Sequence, residues 1–186
     1  MNDAAKDPAE AALEAFRSEF QRYKRQAERV FEQLADEDFF RHLNDDQNSI
    51  YVIVKHMAGN MRSRFTDFLT SDGEKPDRDR DSEFVEEIVP REQILALWER
   101  GWACVFDAVA SMKGDDLSRT VTVRLEPMTA AAAIARQVAH YGYHVGQITL
   151  LGKHFVGKEW KYITVPRGGT KEFNKRMGME SGRSPS

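Results

Sequence analysis

The sequence is poor in cysteine: Cys104 is the single cysteine among 186 residues. One thiol cannot form a disulfide within the chain, so we expect a protein of the reducing cytoplasm. Long apolar runs are missing too, since none reaches the roughly 18 residues that a membrane-spanning helix needs. The opening segment, MNDAAKDPAEAA, is acidic and polar, and does not predict a secretory signal peptide. We therefore expect no membrane partner.

A strong excess of charge of either sign is also lacking. The chain has 27 basic and 30 acidic residues and a formal net charge of −3. Without a basic stripe, the release of counterions would contribute little to binding, so no nucleic-acid partner is predicted. The length of 186 residues and the hydrophobic content of 41% suit one globular domain with a single core.

Four long segments repeat apolar residues at spacings of three and four, as amphipathic helices do. They run from Asp7-Pro8 to about Leu34, from about Asn48 to Leu69, from about Glu92 to Met112, and from after Pro127 to Gly157. Four such helices in a chain of this size most simply bury their stripes against one another. The polar link 36–47 and the charged link 71–90 are long, and a link of the latter length is usually functional or mobile. The sequence therefore predicts an all-α four-helix bundle with long crossover connections.

Two short segments alternate like β-strands: RTVTVRLEP at residues 119–127 and WKYITVP at residues 160–166. We expect them to pair as a short two-stranded β element. The helices and this element predict a single domain over residues 1–165. Residues 166–186 are predicted to form a C-terminal tail, which loses periodicity beyond Arg167 and is disordered over its last eight or so residues.

A histidine pair stands out on the predicted fourth helix, within HYGYHVGQ at residues 140–147. His140 and His144 are one helical turn apart, so their imidazoles can converge on one cation. The motif is not that of the zinc proteases, because Tyr141 occupies the position of their glutamate. His144 lies between the apolar positions Tyr141 and Ile148 and is predicted to face the core. The alternative is that both are structural histidines satisfied by hydrogen bonds.

A metal site would need a third ligand, and the remaining histidines are His42, His56 and His154. His154 lies more than two turns beyond His144, and His42 falls in the polar link. His56, midway along the predicted second helix, is the best placed to reach the same interior. Three neutral imidazoles would leave open positions on the ion, which is the pattern of a catalytic site.

Three further polar residues are candidates for contacts around such a site. Asn60 and Arg64 follow His56 at four and eight residues, and so share its side of the helix. They are predicted to hydrogen-bond a substrate or a metal-bound water, or, for Arg64, to pair with an acidic neighbour such as Asp67. Gln147 either supports the site or is a polar residue at the edge of the apolar stripe.

Other reactive or charged residues have simpler interpretations. Cys104 lies in an apolar helix and is predicted to be a small core residue. The carboxylates Glu86, Glu87 and Asp107 do not form the Glu-x-x-His pattern of di-iron bundles. The run DGEKPDRDRDSEF at residues 72–84 is predicted to be a solvated loop.

The segments at residues 48–84, 140–155 and 160–174 together resemble the DinB-like (YfiT-like) metal-binding four-helix-bundle superfamily, in a branch of bacterial proteins of unknown function. The resemblance implies a bundle with long crossovers, frequent homodimers and one divalent metal ion held by His56, His140 and His144. Relatives with known activity include transferases and isomerases that depend on small thiols. In these the metal is thought to activate the thiol as thiolate.

The resemblance and the histidines together predict a metal-dependent enzyme, with a small-molecule substrate and a homodimeric state. We expect an S-transferase that adds a low-molecular-weight thiol to an electrophilic substrate, or, within the same class, a metal-dependent hydrolase. The expected ion is nickel, zinc or iron, all of which accept imidazole ligands. The competing class is a non-catalytic binding protein associated with stress, a dimer that the metal stabilises. In that case a fourth protein ligand such as His42 would complete the coordination of the ion.

Overall fold

The structure, a computed structural model, describes residues 7–178. These residues form five α-helices and two strands: α1 (Pro8–Phe31), α2 (Ile50–Phe65), α3 (Arg91–Ser111), β1 (Thr120–Val123), β2 (Glu126–Thr129), α4 (Ala130–Val156) and α5 (Thr170–Arg176). The predicted helical class, with a small two-stranded element, is confirmed. No helix in this part of the chain is long and apolar enough to span a membrane.

Three of the long helices begin at side-chain caps. The Asp7 carboxylate accepts a hydrogen bond from the backbone of Ala9, and Pro8 occupies the first turn of α1. Ser49 caps α2 in the same way, and Thr129 caps α4. These caps fix the residue at which each helix starts.

Helix α2 ends earlier than its apolar pattern predicts. The predicted end was Leu69, but Thr66 leaves the helical conformation and Asp67 has a φ of 48°. The turn that follows returns Phe68 to the core, where it is 9% exposed. The regular spacing of apolar residues therefore continues past the end of the helix, because residues of the turn pack into the core beside the last turn of α2.

Aromatic side chains from all four long helices meet at the centre of the bundle. The ring centroid of Tyr141 lies 5.8 Å from that of Phe20 and 5.7 Å from that of Trp102, and Phe65 lies 5.8 Å from Phe20. Tyr141 is fully buried. Tyr141 follows His140 directly in the chain. The packing of Tyr141 therefore fixes how α4 is rotated about its own axis, and with it the direction in which the histidine pair points.

The two strands form a hairpin, and the predicted pairing of residues 119–127 with 160–166 is wrong. β1 pairs antiparallel with β2, with Val121 opposite Met128. Arg124 and Leu125 form the turn with φ values of 56° and 65°, and two positive φ values are typical of a two-residue hairpin turn. Adjacent segments joined by so short a turn pair with little loss of loop entropy. The segment 160–166 instead packs on the C-terminal end of α1, where Arg29 of the helix and Gln33 just beyond it donate to its carbonyl groups.

The link after α2 is fastened to this hairpin by Asp72. Its carboxylate accepts hydrogen bonds from the backbone N–H groups of Glu74 at 2.7 Å, Arg124 at 2.8 Å and Leu125 at 2.8 Å. Burial alone would raise the pKa of Asp72, but these N–H donors outweigh it and lower the pKa to about 2. The ionised carboxylate therefore ties the start of the link to the turn of the hairpin.

The C-terminal segment contains more structure than its sequence predicts. Helix α5 lies in the stretch expected to lack periodicity, with Glu172 in its first turn and Lys175 and Arg176 in its last. This arrangement of charge stabilises a short helix through its dipole. The residues predicted to be disordered, 179–186, lie outside the described part of the chain.

Candidate metal centre

Three histidines from two helices converge at the edge of the aromatic core. His56 comes from α2, while His140 and His144 come from α4, and one ring nitrogen from each lies within 4.8 Å of the others. The Nε2 atom of His140 is 3.4 Å from Nε2 of His56 and 3.0 Å from Nε2 of His144. His56 and His144 are 6% and 9% exposed. The three predicted histidines are thus brought together.

The second ring nitrogens of His56 and His144 have defined partners, and these determine the tautomers of the two rings. Nδ1 of His56 lies 2.9 Å from Oε2 of Glu83, and Nδ1 of His144 lies 2.8 Å from Oε1 of Gln147. Both partners are acceptors, so each Nδ1 carries the proton of its neutral ring and each Nε2 presents a lone pair. Both lone pairs point to Nε2 of His140, which can donate to only one of them. Without a cation, this arrangement leaves at least one repulsive contact.

The donor set fits a divalent transition metal. Imidazole nitrogens bound at roughly 2.0–2.1 Å around a tetrahedral ion stand about 3.4 Å apart. The separations of 3.4 and 3.0 Å from Nε2 of His140 to Nε2 of His56 and of His144 are close to this spacing, and all three ligand atoms lie within 4.8 Å of one another. Two of the rings are already oriented by hydrogen bonds to their second nitrogens, as metal-bound histidines usually are. The three histidines are therefore able to hold an ion with little rearrangement.

The electrostatic surroundings of His140 and His144 disfavour protonation of these two rings. Burial, together with the neighbouring His144 and His56, lowers the pKa of His140 to about 3. Burial also lowers the pKa of His144, although its hydrogen bond with Gln147 opposes this effect. Because a metal binds the unprotonated ring nitrogen, these two rings are ready to act as ligands at neutral pH.

A buried ion pair supports His56 from behind. Arg78 donates from Nε to Oε1 of Glu83 at 2.8 Å and from Nη2 to Oε2 at 2.9 Å. The side chains of Glu83 and Arg78 are 7% and 2% exposed. Burial alone would raise the pKa of Glu83, but its bonds with His56 and Arg78 outweigh burial and hold the pKa below its usual value. Glu83 is therefore an ionised acceptor that orients His56.

The prediction that residues 72–84 form a solvated loop is wrong for the residues that support the site. The 3₁₀ helix Asp81–Phe84 places Glu83 against Gly59, where there is no room for a Cβ atom. The ring of Phe84 lies 5.0 Å from that of His56. Within this link the Arg78 and Glu83 side chains are buried because they pair with each other and Glu83 bonds His56. A composition rich in charge does not reveal such pairing.

A cavity of about 210 Å³ opens beside the cluster, lined in part by His56 and His140. Asn60 and Arg64 also line it, on the side of α2 that the sequence predicts. The Oδ1 atom of Asn60 accepts from the hydroxyl of Tyr141 at 3.1 Å. Arg64 pairs with Glu74 at 3.0 Å, rather than with the predicted Asp67. Both side chains are buried and face the space in which a ligand of the ion would lie.

The remaining histidines and the cysteine are not part of the cluster. His42, the fourth ligand expected only if the ion were structural, bonds the Glu86 carboxylate at 2.9 Å and the backbone oxygen of Gln47 at 2.6 Å. His154 is exposed near the end of α4, and Cys104 is partly buried against the core. Among residues 7–178 the metal-capable group holds three side chains, and His42, the fourth ligand expected for a closed structural site, is not one of them.

Several residues of the site were not predicted as such. The cavity is also lined by Gln137 and by four arginines beyond Arg64, namely Arg78, Arg80, Arg124 and Arg136. Arg136 and Gln137 precede His140 by four and three residues, so helical spacing alone was a signal that could have identified them. Arg78, Arg80 and Glu83 come from the link and Arg124 from the hairpin turn. No local pattern indicates that these segments meet the histidines.

Comparison with known proteins identifies a family but no activity. A model of the family described as "Protein of unknown function (DUF1572)" matches residues 7–169, which include all three histidines, Glu83 and Gln147. No curated protein matches the chain. The resemblance to the DinB-like superfamily stays a hypothesis based on the sequence motifs.

Proposed function

The chain belongs to this family of proteins of unknown function, and we propose that it is a metal-dependent enzyme whose single divalent ion is held by His56, His140 and His144. One observation carries the proposal: the Nε2 lone pairs of His56 and His144 converge on His140, while Glu83 and Gln147 hold their Nδ1–H groups. A convergence of unprotonated ring nitrogens is what a metal requires.

The open side of the cluster favours a catalytic over a structural ion. Structural zinc sites are closed by four protein ligands, whereas catalytic sites keep a position for water or substrate. In the part of the chain that the structure describes, three ligand residues converge and the cavity of about 210 Å³ adjoins them. With His42 bound to Glu86, the arrangement supports the enzyme over the metal-stabilised, non-catalytic dimer.

The residues around the ion would orient its histidine ligands and the second reactant. A divalent ion held by neutral imidazoles acts as a Lewis acid and lowers the pKa of a bound thiol or water. Glu83 and Gln147 keep the ligand rings oriented. Asn60, fixed by Tyr141, and Arg64 lie in the cavity wall, where they would orient the second reactant by hydrogen bonds.

We infer that the reaction is the transfer of a small thiol to an electrophilic substrate, with metal-dependent hydrolysis as the variant in the same class. The sequence resemblance supports the thiol, and three imidazoles with an open position suit a thiolate as the next ligand. The small volume of the cavity supports a low-molecular-weight substrate. Nickel, zinc and iron all remain consistent with the donor set.

Spectroscopy of the cobalt-substituted protein tests the proposal. Titration with glutathione is expected to produce a sulfur-to-cobalt charge-transfer band, whereas S-methylglutathione should produce none. The His144→Ala variant, titrated in parallel, should show neither the cobalt spectrum of the site nor the new band. A cobalt spectrum that responds to hydroxide but not to thiols would support the hydrolase. A spectrum that no thiol, anion or pH change alters would indicate a closed, structural ion.

A further inference from the structure

The cavity beside the histidine cluster is strongly cationic. No aspartate or glutamate is among its lining residues. Five arginines line it: Arg64, Arg78, Arg80, Arg124 and Arg136. The side chains of Arg64 and Arg78 are 9% and 2% exposed, so these two are held in place by packing. The other three are exposed around the opening. This concentration of positive charge contrasts with the net charge of −3 on the whole chain.

Only part of this charge is neutralised by ion pairs. Glu74 lies 3.0 Å from Arg64, 3.4 Å from Arg78 and 3.0 Å from Arg124, and Glu83 pairs with Arg78. Five guanidinium groups thus share two carboxylates, which leaves three positive charges in surplus. Within residues 7–178, neither Arg80 nor Arg136 has a carboxylate within 4.0 Å.

A buried amide in the same wall has unused hydrogen-bonding capacity. Gln137 is 5% exposed and lines the cavity, and its Oε1 atom has no hydrogen-bond partner among the described residues. A buried polar atom normally has a partner, so an unpaired one indicates a place for water or a ligand. A side-chain amide offers either its oxygen or, after rotation, its NH₂ group to that ligand.

We propose that the substrate of this site is a small molecule carrying a carboxylate or phosphate group, which Arg80, Arg136 and Gln137 bind beside the histidine cluster. The inference rests on the proposed function, because it names the class of substrate for the same site. Guanidinium groups bind both kinds of oxyanion through paired N–H donors. Arg136 and Gln137 lie within one turn of His140, so an oxyanion bound by them would lie next to the ion.

The balance of charge favours an oxyanion over other classes of small substrate. A divalent ion would add two positive charges to the surplus already present, so a cationic molecule would be repelled. A neutral molecule would leave the arginines without compensation. An oxyanion neutralises part of this charge, and its approach is accelerated because clefts with charge of one sign concentrate ligands of the opposite sign.

Calorimetric titration of the metal-loaded full chain with inorganic phosphate and, separately, with succinate tests the inference. We expect at least one of the two anions to bind, and their relative affinities to show which oxyanion the site prefers. Arg136→Gln and Arg80→Gln should each weaken binding roughly tenfold or more, since each removes charged hydrogen-bond donors. Arg62→Gln is the matched control, because Arg62 is an α2 arginine that pairs with Asp77 outside this cavity.

The metal content of the same samples separates the two possible failures. Wild-type protein that holds its metal but binds neither anion would overturn the inference and leave the proposed function standing. Equal anion affinity in wild type, Arg136→Gln and Arg80→Gln would also overturn it. Wild-type protein that holds no metal would overturn the proposed function instead. Arg136→Gln and Arg80→Gln are expected to retain the metal, since neither side chain is among the hydrogen-bond partners of the ligand histidines.

Discussion

The Nδ1 atom of His56 lies 2.9 Å from the Oε2 atom of Glu83, although 27 residues separate them in sequence. Glu83 is buried and receives two further hydrogen bonds from Arg78. The link between α2 and α3 therefore functions as the support of a ligand on α2. Changes that displace Glu83 from His56 should therefore lower the affinity of the candidate site for metal.

Replacing Glu83 should weaken the metal site without removing a ligand. Glu83→Gln keeps an acceptor for His56 but loses the charge that Arg78 and the imidazole N–H require. Loss of such a supporting partner typically lowers metal affinity by about 10–100-fold. Competition with a chromophoric chelator measures the change. Glu87→Gln is the control, because Glu87 is 63% exposed and lies away from the histidines; equal affinities for both variants and wild type would contradict the role of Glu83.

A methyl group at position 59 should displace the same carboxylate. A Cβ atom on Gly59 would overlap the Glu83 side chain, whose flexible end must then move away from His56. Gly59→Ala is therefore expected to lower metal affinity in the same direction as Glu83→Gln while the bundle stays folded. Chelator competition together with circular dichroism measures both properties.

The control for Gly59→Ala is Gly146→Ala on α4. A Cβ atom there meets nothing within 4 Å, and position 146 is exposed. Alanine in an exposed helix interior stabilises by about 0.5–1 kcal/mol relative to glycine, so this variant should unfold at higher denaturant concentration with unchanged metal affinity. If Gly59→Ala bound the metal with wild-type affinity, the position of the Glu83 carboxylate next to His56 would not matter for metal binding.

Gln147 should matter through His144 rather than through contact with the ion. Gln147→Ala removes the acceptor 2.8 Å from Nδ1 of His144, so the ring loses both its orientation and its preferred tautomer. We expect metal affinity to fall about tenfold. Gln147→Glu restores an acceptor and should recover most of the affinity. Isothermal titration of the metal-free proteins measures this series; indistinguishable affinities throughout would contradict the assignment.

The Asp72 carboxylate should stabilise the hairpin in a pH-dependent way. Asp72→Asn keeps one acceptor oxygen for three N–H donors and should cost about 1–2 kcal/mol of unfolding free energy at pH 7. The folded pKa of about 2 lies below the ordinary value of 3.8, so the contribution is fully present above that value. It should disappear as the pH falls from about 4 towards 2. Urea unfolding of both proteins across this range measures the difference, and a difference independent of pH would contradict the ionised cap.

The sequence was sufficient where contacts are local. The caps Asp7 and Ser49 are read from single residues, and the apolar stripes predict the four long helices. The pair His140 and His144 follows from helical spacing, and the place of His56 follows from the middle of its helix. In each case the period of one helix determines which side chains share a face.

The sequence was insufficient where contacts cross between segments. Glu83 meets His56 only after the link folds back over α2, and nothing periodic marks it. The residues of the hairpin turn, Arg124 and Leu125, are not typical of positive φ, so residues 119–127 resembled one strand. The turn is stabilised from outside, because the Asp72 carboxylate accepts hydrogen bonds from the backbone N–H groups of both residues. Such contacts are specified by the folded surroundings, which a single sequence does not display.

The most direct test of the account is the metal content of untagged protein, measured by mass spectrometry for wild type, His56→Ala and His144→Ala. His42→Ala is the matched control, since His42 bonds Glu86 away from the cluster. We predict about one divalent ion per chain in wild type and His42→Ala, and loss of the ion in both other variants. A wild-type protein that holds no metal after reconstitution, or variants that retain it, would contradict the three-histidine site.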